Sequence, residues 1–153
     1  HMILNSVRMY QKKYAPEYGE MVLCTDASHT WRKDFYPLYK ANRKKGRDAS
    51  DLDWNKLFET LQVIKDEIRD NFPYRYMYVE KCEADDIIAI LCKQQTEDKY
   101  LIISGDKDFI QPHDKNVKQY NPVLNKFVGK GEEPSLYIKE HILKGYLKVI
   151  KYI

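Results

Sequence analysis

Glu80-Lys81-Cys82-Glu83-Ala84-Asp85-Asp86-Ile87-Ile88-Ala89 is followed further along the chain by Leu101-Ile102-Ile103-Ser104-Gly105-Asp106-Lys107-Asp108. In both places an apolar strand runs straight into a knot of carboxylates. Tyr74 to Val79 is aromatic and β-branched and reads as the strand that delivers Glu80 and Glu83. A helix from about Glu83 to Gln95 follows, with Ala84, Ile87, Ile88, Leu91 and Cys92 toward the core. Tyr100 to Ser104 is a second buried strand, and Val117 to Tyr120 a further one. Upstream, Glu20 to Thr25 is a compact apolar run that ends on Asp26. Strands alternating with helices predict an α/β fold with a mainly parallel central sheet and helices on both faces. Right-handed crossovers bring the carboxyl ends of parallel strands to one edge, so Asp26, Glu83, Asp85, Asp86, Asp106 and Asp108 are expected there.

Outward from this centre, Ile3, Val7, Tyr10 and Tyr14 predict a helix over 3–15 closed by Pro16 and Gly19. A helical pattern runs from Asp34 to about Lys45, with Pro37 in its first turn, and Gly46 ends it. Residues 46–53 are polar, and Asp53 is an N-cap for a helix over 54–71 carrying Trp54, Leu57, Phe58, Leu61, Ile64 and Ile68 on one stripe. The 153 residues, 43% hydrophobic, predict a single domain over 2–153, with His1 a tag remnant. No apolar run is long enough to span a bilayer and no secretory signal opens the chain, which predicts a cytoplasmic protein without a membrane partner. Cys24, Cys82 and Cys92 are odd in number and lack C-x-x-C spacing, so free thiols are expected rather than a disulfide framework or zinc knuckle.

Six carboxylates at one sheet edge repel strongly unless cations relieve them. Mg²⁺ or Mn²⁺, one or two ions, is the natural relief, and a pair about 4 Å apart activates water and stabilises the oxygens of a phosphodiester under attack. The competing reading is structural: acidic residues in the first turn of a helix stabilise its dipole. The net charge is only +3, but residues 31–47 hold Arg32, Lys33, Lys40, Arg43, Lys44, Lys45 and Arg47 against Asp34 alone. Trp31, Phe35, Tyr36 and Tyr39 are interleaved with them. Such a segment is either a solvated charged face or a single-strand surface that combines stacking with phosphate neutralisation. On the expected helix Lys40 and Arg43 are one turn apart and could clamp one phosphate.

Val22-Leu23-Cys24-Thr25-Asp26, Trp31-Arg32-Lys33-Asp34-Phe35 through Tyr39-Lys40-Ala41-Asn42-Arg43, Glu83-Ala84-Asp85-Asp86 and Ile103-Ser104-Gly105-Asp106-Lys107-Asp108-Phe109 together resemble the flap endonuclease (5′-nuclease) superfamily, with its PIN-like fold, in the form of the T-even bacteriophage ribonucleases H. The resemblance reaches to about Gly145. It implies a Mg²⁺-dependent nuclease that removes RNA primers and DNA flaps from 5′ ends in replication, acting on DNA or RNA with a 5′ single strand. It further implies that Asp26, Glu83, Asp85, Asp86, Asp106 and Asp108 ligate two metal ions, and that Lys40 and Arg43 contact the scissile phosphate. Residues 34–53 would form a helical arch for the single strand, with Tyr39 stacking on a base.

The family begins with a strand bearing another metal-binding Asp and continues past Lys144-Gly145 into an Asp-rich motif and a duplex-gripping region. The chain is therefore expected to be a partial catalytic core, truncated at both ends and weak or inactive alone. Its apolar Tyr146–Ile153 tail and uncovered sheet position are expected to promote a homodimer. The alternative is a single-strand nucleic-acid-binding module that has lost hydrolysis. A phosphatase-like reading of Ser104 to Asp108 is weaker, because no earlier Asp-x-Asp accompanies it.

Overall fold

The computed structural model describes residues 2–94, 97–129 and 133–150, for Lys45 and residues 145–150 in backbone only, so the expectations placed on the Lys45 side chain and on the apolar side chains of the Tyr146–Ile153 tail lie outside what is described. The chain divides into two compact units, His1–Ala15 with Gly19–Ile87, and Pro16–Tyr18 with Ile88–Ile153.

Helix α1 (Met2–Tyr18), in the first unit up to Ala15, runs through Pro16 instead of stopping there. A proline near a helix end disturbs only the last turn. The stop is made by Gly19, whose φ of 78° is left-handed and whose N–H donates to the Ala15 carbonyl at 2.9 Å. Strand β1 (Val22–Thr25) then leads to Asp26.

The one helix expected from Asp34 to Lys45 is two short ones, α2 (Arg32–Phe35) and α3 (Asn42–Asp48). Pro37 separates them, because its ring disfavours helical backbone at the residue before it. Tyr36 is accordingly extended, at φ −135° and ψ 91°. Beyond the proline the chain turns, and Lys40 takes a left-handed φ of 56°.

Helix α4 (Trp54–Asn71) has the expected bounds, and the Asp53 side chain accepts from the Lys56 N–H at 3.0 Å. Its apolar stripe is buried only toward the carboxyl end, where Ile68 is enclosed while Phe58 stays 49% exposed. Helix α4 packs on strand β2 (Arg75–Tyr78), which pairs in parallel with β1 from Val22↔Arg75 to Thr25↔Tyr78. Parallel pairing needs a long crossover, which α2 to α4 supply. It sends Asp26 and the 79–83 loop out of the same edge. Backbone bonds from Ala27 N to Cys82 O (2.9 Å) and from Trp31 N to Lys81 O (2.8 Å) join the two loops. Helix α5 (Ala84–Cys92) starts immediately after Glu83.

In the second unit, β3 (Tyr100–Ile103) pairs in parallel with β4 (Val117–Asn121), and β4 pairs antiparallel with β5 (Lys126–Val128). Cys92, Ile102, Phe109 and Val117 form its core, flanked by Ile88 and Tyr100. A 3₁₀ turn (Lys107–Ile110) follows Asp106, and α6 (Pro134–Ile150) closes the described chain.

The fold class is α/β with parallel strands and helices, as the alternation predicts. Among the described residues, however, the strands form a two-stranded and a three-stranded sheet. Cys24, Cys82 and Cys92 are thiols outside any disulfide.

Candidate metal and nucleic-acid site

Acids surround the start of α5, with Glu83 just before it and Asp85 and Asp86 in its first turn. Asp26, delivered by β1, turns its Oδ1 onto the Ala84 N–H at 2.7 Å, satisfying one of the donors a helix start leaves open. Asp86 folds back so that its Oδ2 accepts from the Glu83 N–H at 3.0 Å. Asp85 lies beside it in the same turn and is exposed. Each negative charge is favoured there by the helix dipole.

Two cations from the aromatic and basic segment meet this turn. Arg32 forks onto Asp86, with Nη1 at 2.7 Å from Oδ2 and Nη2 at 2.6 Å from Oδ1, and Nη1 also reaches Glu83 Oε2 at 3.1 Å. Lys40 Nζ donates to Glu83 Oε1 at 2.7 Å, and the Tyr39 hydroxyl to Oε2 at 3.0 Å. The left-handed backbone at Lys40 and the turn after Pro37 put these side chains on Glu83, a placement a continuous helix would not provide. The Trp31 ring lies 4.7 Å from the Arg32 guanidinium, and its Nε1 is 3.4 Å from Asp86 Oδ2.

These contacts govern protonation. Burial works to raise the pKa of Glu83, but the hydrogen bonds from Lys40 and Tyr39 and the charges of Lys40 and Arg32 together hold it below the ordinary value. The Arg32 fork holds Asp86 low as well. Burial likewise opposes the charge on Lys40, yet its bond to Glu83 raises its pKa overall. Glu83 is buried at 9% exposure, and both of its carboxylate oxygens accept from protein donors that favour its charged form.

In the second unit, Asp106 and Asp108 share one turn. Asp106 Oδ1 caps the 3₁₀ turn by accepting from the Asp108 N–H at 3.0 Å. Gln119, fully buried on β4, holds the loop from beneath through Nε2 bonds to the carbonyls of Ser104 (2.9 Å) and Asp106 (2.7 Å). From α6 the Tyr137 hydroxyl reaches Asp108 Oδ1 at 3.3 Å, and His141 Nδ1 lies 4.0 Å from it. Sequence reasoning misses Gln119, Tyr137 and His141. A polar residue inside a β-branched strand signals the first, and Pro134 opening an apolar pattern signals the helix that carries the others.

The predicted residues thus fall into three sets. Asp26, Glu83, Asp85 and Asp86 meet at α5, where Arg32, Tyr39 and Lys40 join them. Asp106 and Asp108 meet at the 3₁₀ turn. Lys33, Arg43 and Lys44 are exposed. Arg43 and Lys40 are joined by a turn, with the Arg43 N–H donating to the Lys40 carbonyl at 3.0 Å, but Lys40 is left-handed and lies before α3, so the two do not share a helix. Arg47 lies over the Phe58 ring at 5.9 Å, and with Lys44, Trp54 and Phe58 it lines an open cavity of about 440 Å³. Among the described residues, no three His, Cys, Asp or Glu side chains are gathered as a metal-binding group. The donor set is all hard carboxylate oxygen, which fits Mg²⁺ or Mn²⁺ in kind. Among the described residues, no helix is long and apolar enough to cross a membrane.

Residues 1–145 match the family described as 5′-3′ exonuclease, N-terminal resolvase-like domain. The chain is 41% identical over 152 residues to ribonuclease H of Enterobacteria phage T4, a match that covers 95% of this chain and 50% of that protein. Among solved structures, the bacteriophage T5 flap endonuclease in a pseudo-enzyme-product complex with DNA and metal ions superposes with a TM-score of 0.67 at 19% identity, over 80% of this chain and 46% of that one. The T5 5′-exonuclease with bound divalent zinc ions gives 0.64 at 19% identity, over 82% and 47%. The PIN-like α/β fold is therefore shared. The chain spans about half the length of these relatives.

Proposed function

Since the chain belongs to the 5′-3′ exonuclease N-terminal, resolvase-like domain family, we propose that it is the catalytic-core portion of a metal-dependent 5′ nuclease that hydrolyses phosphodiesters of RNA primers or DNA flaps. The observation that carries this reading is the first turn of α5, where Asp26, Glu83 and Asp86 crowd together against Arg32 and Lys40. So much opposite charge around one helix start is more than helix capping requires.

In this reading the metal ligands, for one or two Mg²⁺ or Mn²⁺ ions, are Asp26, Glu83, Asp85 and Asp86 of the first unit and Asp106 and Asp108 of the second. The chemistry a bound divalent ion supplies is an activated water and a neutralised phosphodiester charge. The chain's own residues do the remainder. Asp26 ties the β1 edge to α5, and Gln119 fixes the Asp106 loop. Lys40 and Arg43 contact the scissile phosphate, while Lys33, Lys44, Lys45 and Arg47 neutralise the strand on its way in. Phe58 and Trp54, beside Arg47, offer ring faces for unpaired bases. The substrate is DNA or RNA with a 5′ single strand, met in the cytoplasm where it is replicated.

One observation favours the second reading, a strand-binding module without hydrolysis: both oxygens of Glu83 and both of Asp86 are already taken by protein donors. Incubation with 5′-flap DNA and 5′-RNA-primed substrates in Mg²⁺, in Mn²⁺ and in EDTA separates the two. Metal-dependent cleavage is expected. Salt-sensitive binding without turnover in either metal would establish the second reading instead.

A further inference from the structure

Arg32 and Lys40 occupy, in charge and in position, the place of a counter-ion. Three of their nitrogens lie 2.6–3.1 Å from four carboxylate oxygens of Glu83 and Asp86. Glu83 is buried, so its charge has little water to fall back on. We propose that Arg32 and Lys40 are resident counter-cations which a divalent ion displaces from Glu83 and Asp86, and that this displacement frees both side chains for the substrate phosphate. The proposal rests on the nuclease reading given above, and it deepens that reading by making metal loading and phosphate binding one coupled event.

Charge balance is what couples the two events. With Arg32 and Lys40 in place, the charges of Glu83 and Asp86 are already neutralised by the chain's own side chains. A divalent ion on the same oxygens would face two positive side chains at hydrogen-bonding distance, so both cannot stay. The displaced groups carry five and three N–H donors that must find new acceptors, and phosphate oxygens match them. Tyr39, half-buried between the two cations at 5.8 and 5.0 Å from its ring, gives them a surface to swing across.

Trp31 is a built-in reporter, since its ring lies against Arg32 and its Nε1 against Asp86. Mg²⁺ titration of the whole chain should therefore shift Trp31 emission, and the shift should vanish in Trp31→Phe while Trp54 remains. By calorimetry, Arg32→Gln and Lys40→Gln should each bind Mg²⁺ about tenfold more tightly than the wild type, a size usual for coupling between two ligands. Lys81→Gln controls for the general field, because Lys81 stands two residues before Glu83 but pairs with Asp34 at 3.0 Å. It should leave the affinity within about twofold, as expected of an exposed pair. With Ca²⁺ as the divalent ion, affinity for an oligothymidine should rise in the wild type and stay flat in the double variant.

Unchanged or weaker Mg²⁺ binding in both single variants, with a wild type that binds, overturns this inference alone. So does a Lys81→Gln variant that tightens equally, or an oligothymidine gain that survives in the double variant. Absence of Mg²⁺ binding in wild type and variants alike overturns the nuclease reading together with it.

Discussion

Glu83 accepts from Arg32, Tyr39 and Lys40 at once, so its substitution is the most informative at this scale. Glu83→Gln removes the charge facing Lys40 and weakens the bond from Arg32. It should cost about 1–3 kcal/mol in urea denaturation, because the partly buried charged donors of Arg32 and Lys40 are left poorly matched. The pH dependence follows from the same contacts. Glu83 and Asp86 have pKa values depressed in the folded state, so the stability they contribute is fully present above the ordinary carboxylate range. It is lost as pH falls through the depressed values. Lys40 has the opposite sign: its pKa is raised, so its contribution is fully present below the usual lysine value and goes as pH rises past the raised one. A thermal-unfolding series should show a flat optimum near neutrality with a steep acid limb, and the acid limb should be shallower in Glu83→Gln. Gln119→Leu should cost about 1–3 kcal/mol by leaving the Ser104 and Asp106 carbonyls without their donor, and should loosen the Asp106 loop. Its signature beyond stability is faster amide exchange at residues 104–108.

At the scale of elements, Asp53 offers the cleanest check, since it caps the longest described helix through one side-chain bond. Asp53→Ala should lower stability by about 0.5–2 kcal/mol, read by chemical denaturation. The elements also show what is legible in the sequence. Helix α4, strands β1 to β4 and the start of α5 follow from local periodicity and capping, and they stand within a few residues of where that reading puts them. Pro37 fits a first helical turn by its own φ, but its stronger effect falls on Tyr36 before it, and that splits the helix. Pro16 goes the other way: α1 continues past it, and Gly19 makes the stop. Strand β5 is three residues long and too short to show alternation. The pairing of Arg32 and Lys40 with Glu83 and Asp86 is not legible at all, as it depends on a left-handed lysine and on a turn joining residues far apart in sequence.

For the whole molecule, charge distribution sets what can be tested. The net charge is +3, yet Lys33, Arg43 and Lys44 stand exposed on one short segment, so binding to a single strand should be electrostatic. Replacing Arg43 and Lys44 by Gln should reduce the slope of log affinity against log salt by about 0.7 for each phosphate no longer neutralised, with little change in base preference. The family, the α/β fold and the motif order are readable from four short segments. On the proposed reading, acids of both units, Asp26 and Asp106 among them, are a requirement for cleavage.

Cleavage of an end-labelled 5′-flap substrate in Mg²⁺, by the wild type and by Asp26→Asn and Asp106→Asn, addresses it most directly, since it takes one acid from each unit. The wild type should give 5′-end products that disappear in EDTA, and each variant should lose at least about a hundredfold in rate. Cleavage that persists undiminished in either variant, or that proceeds equally in EDTA, would contradict that reading.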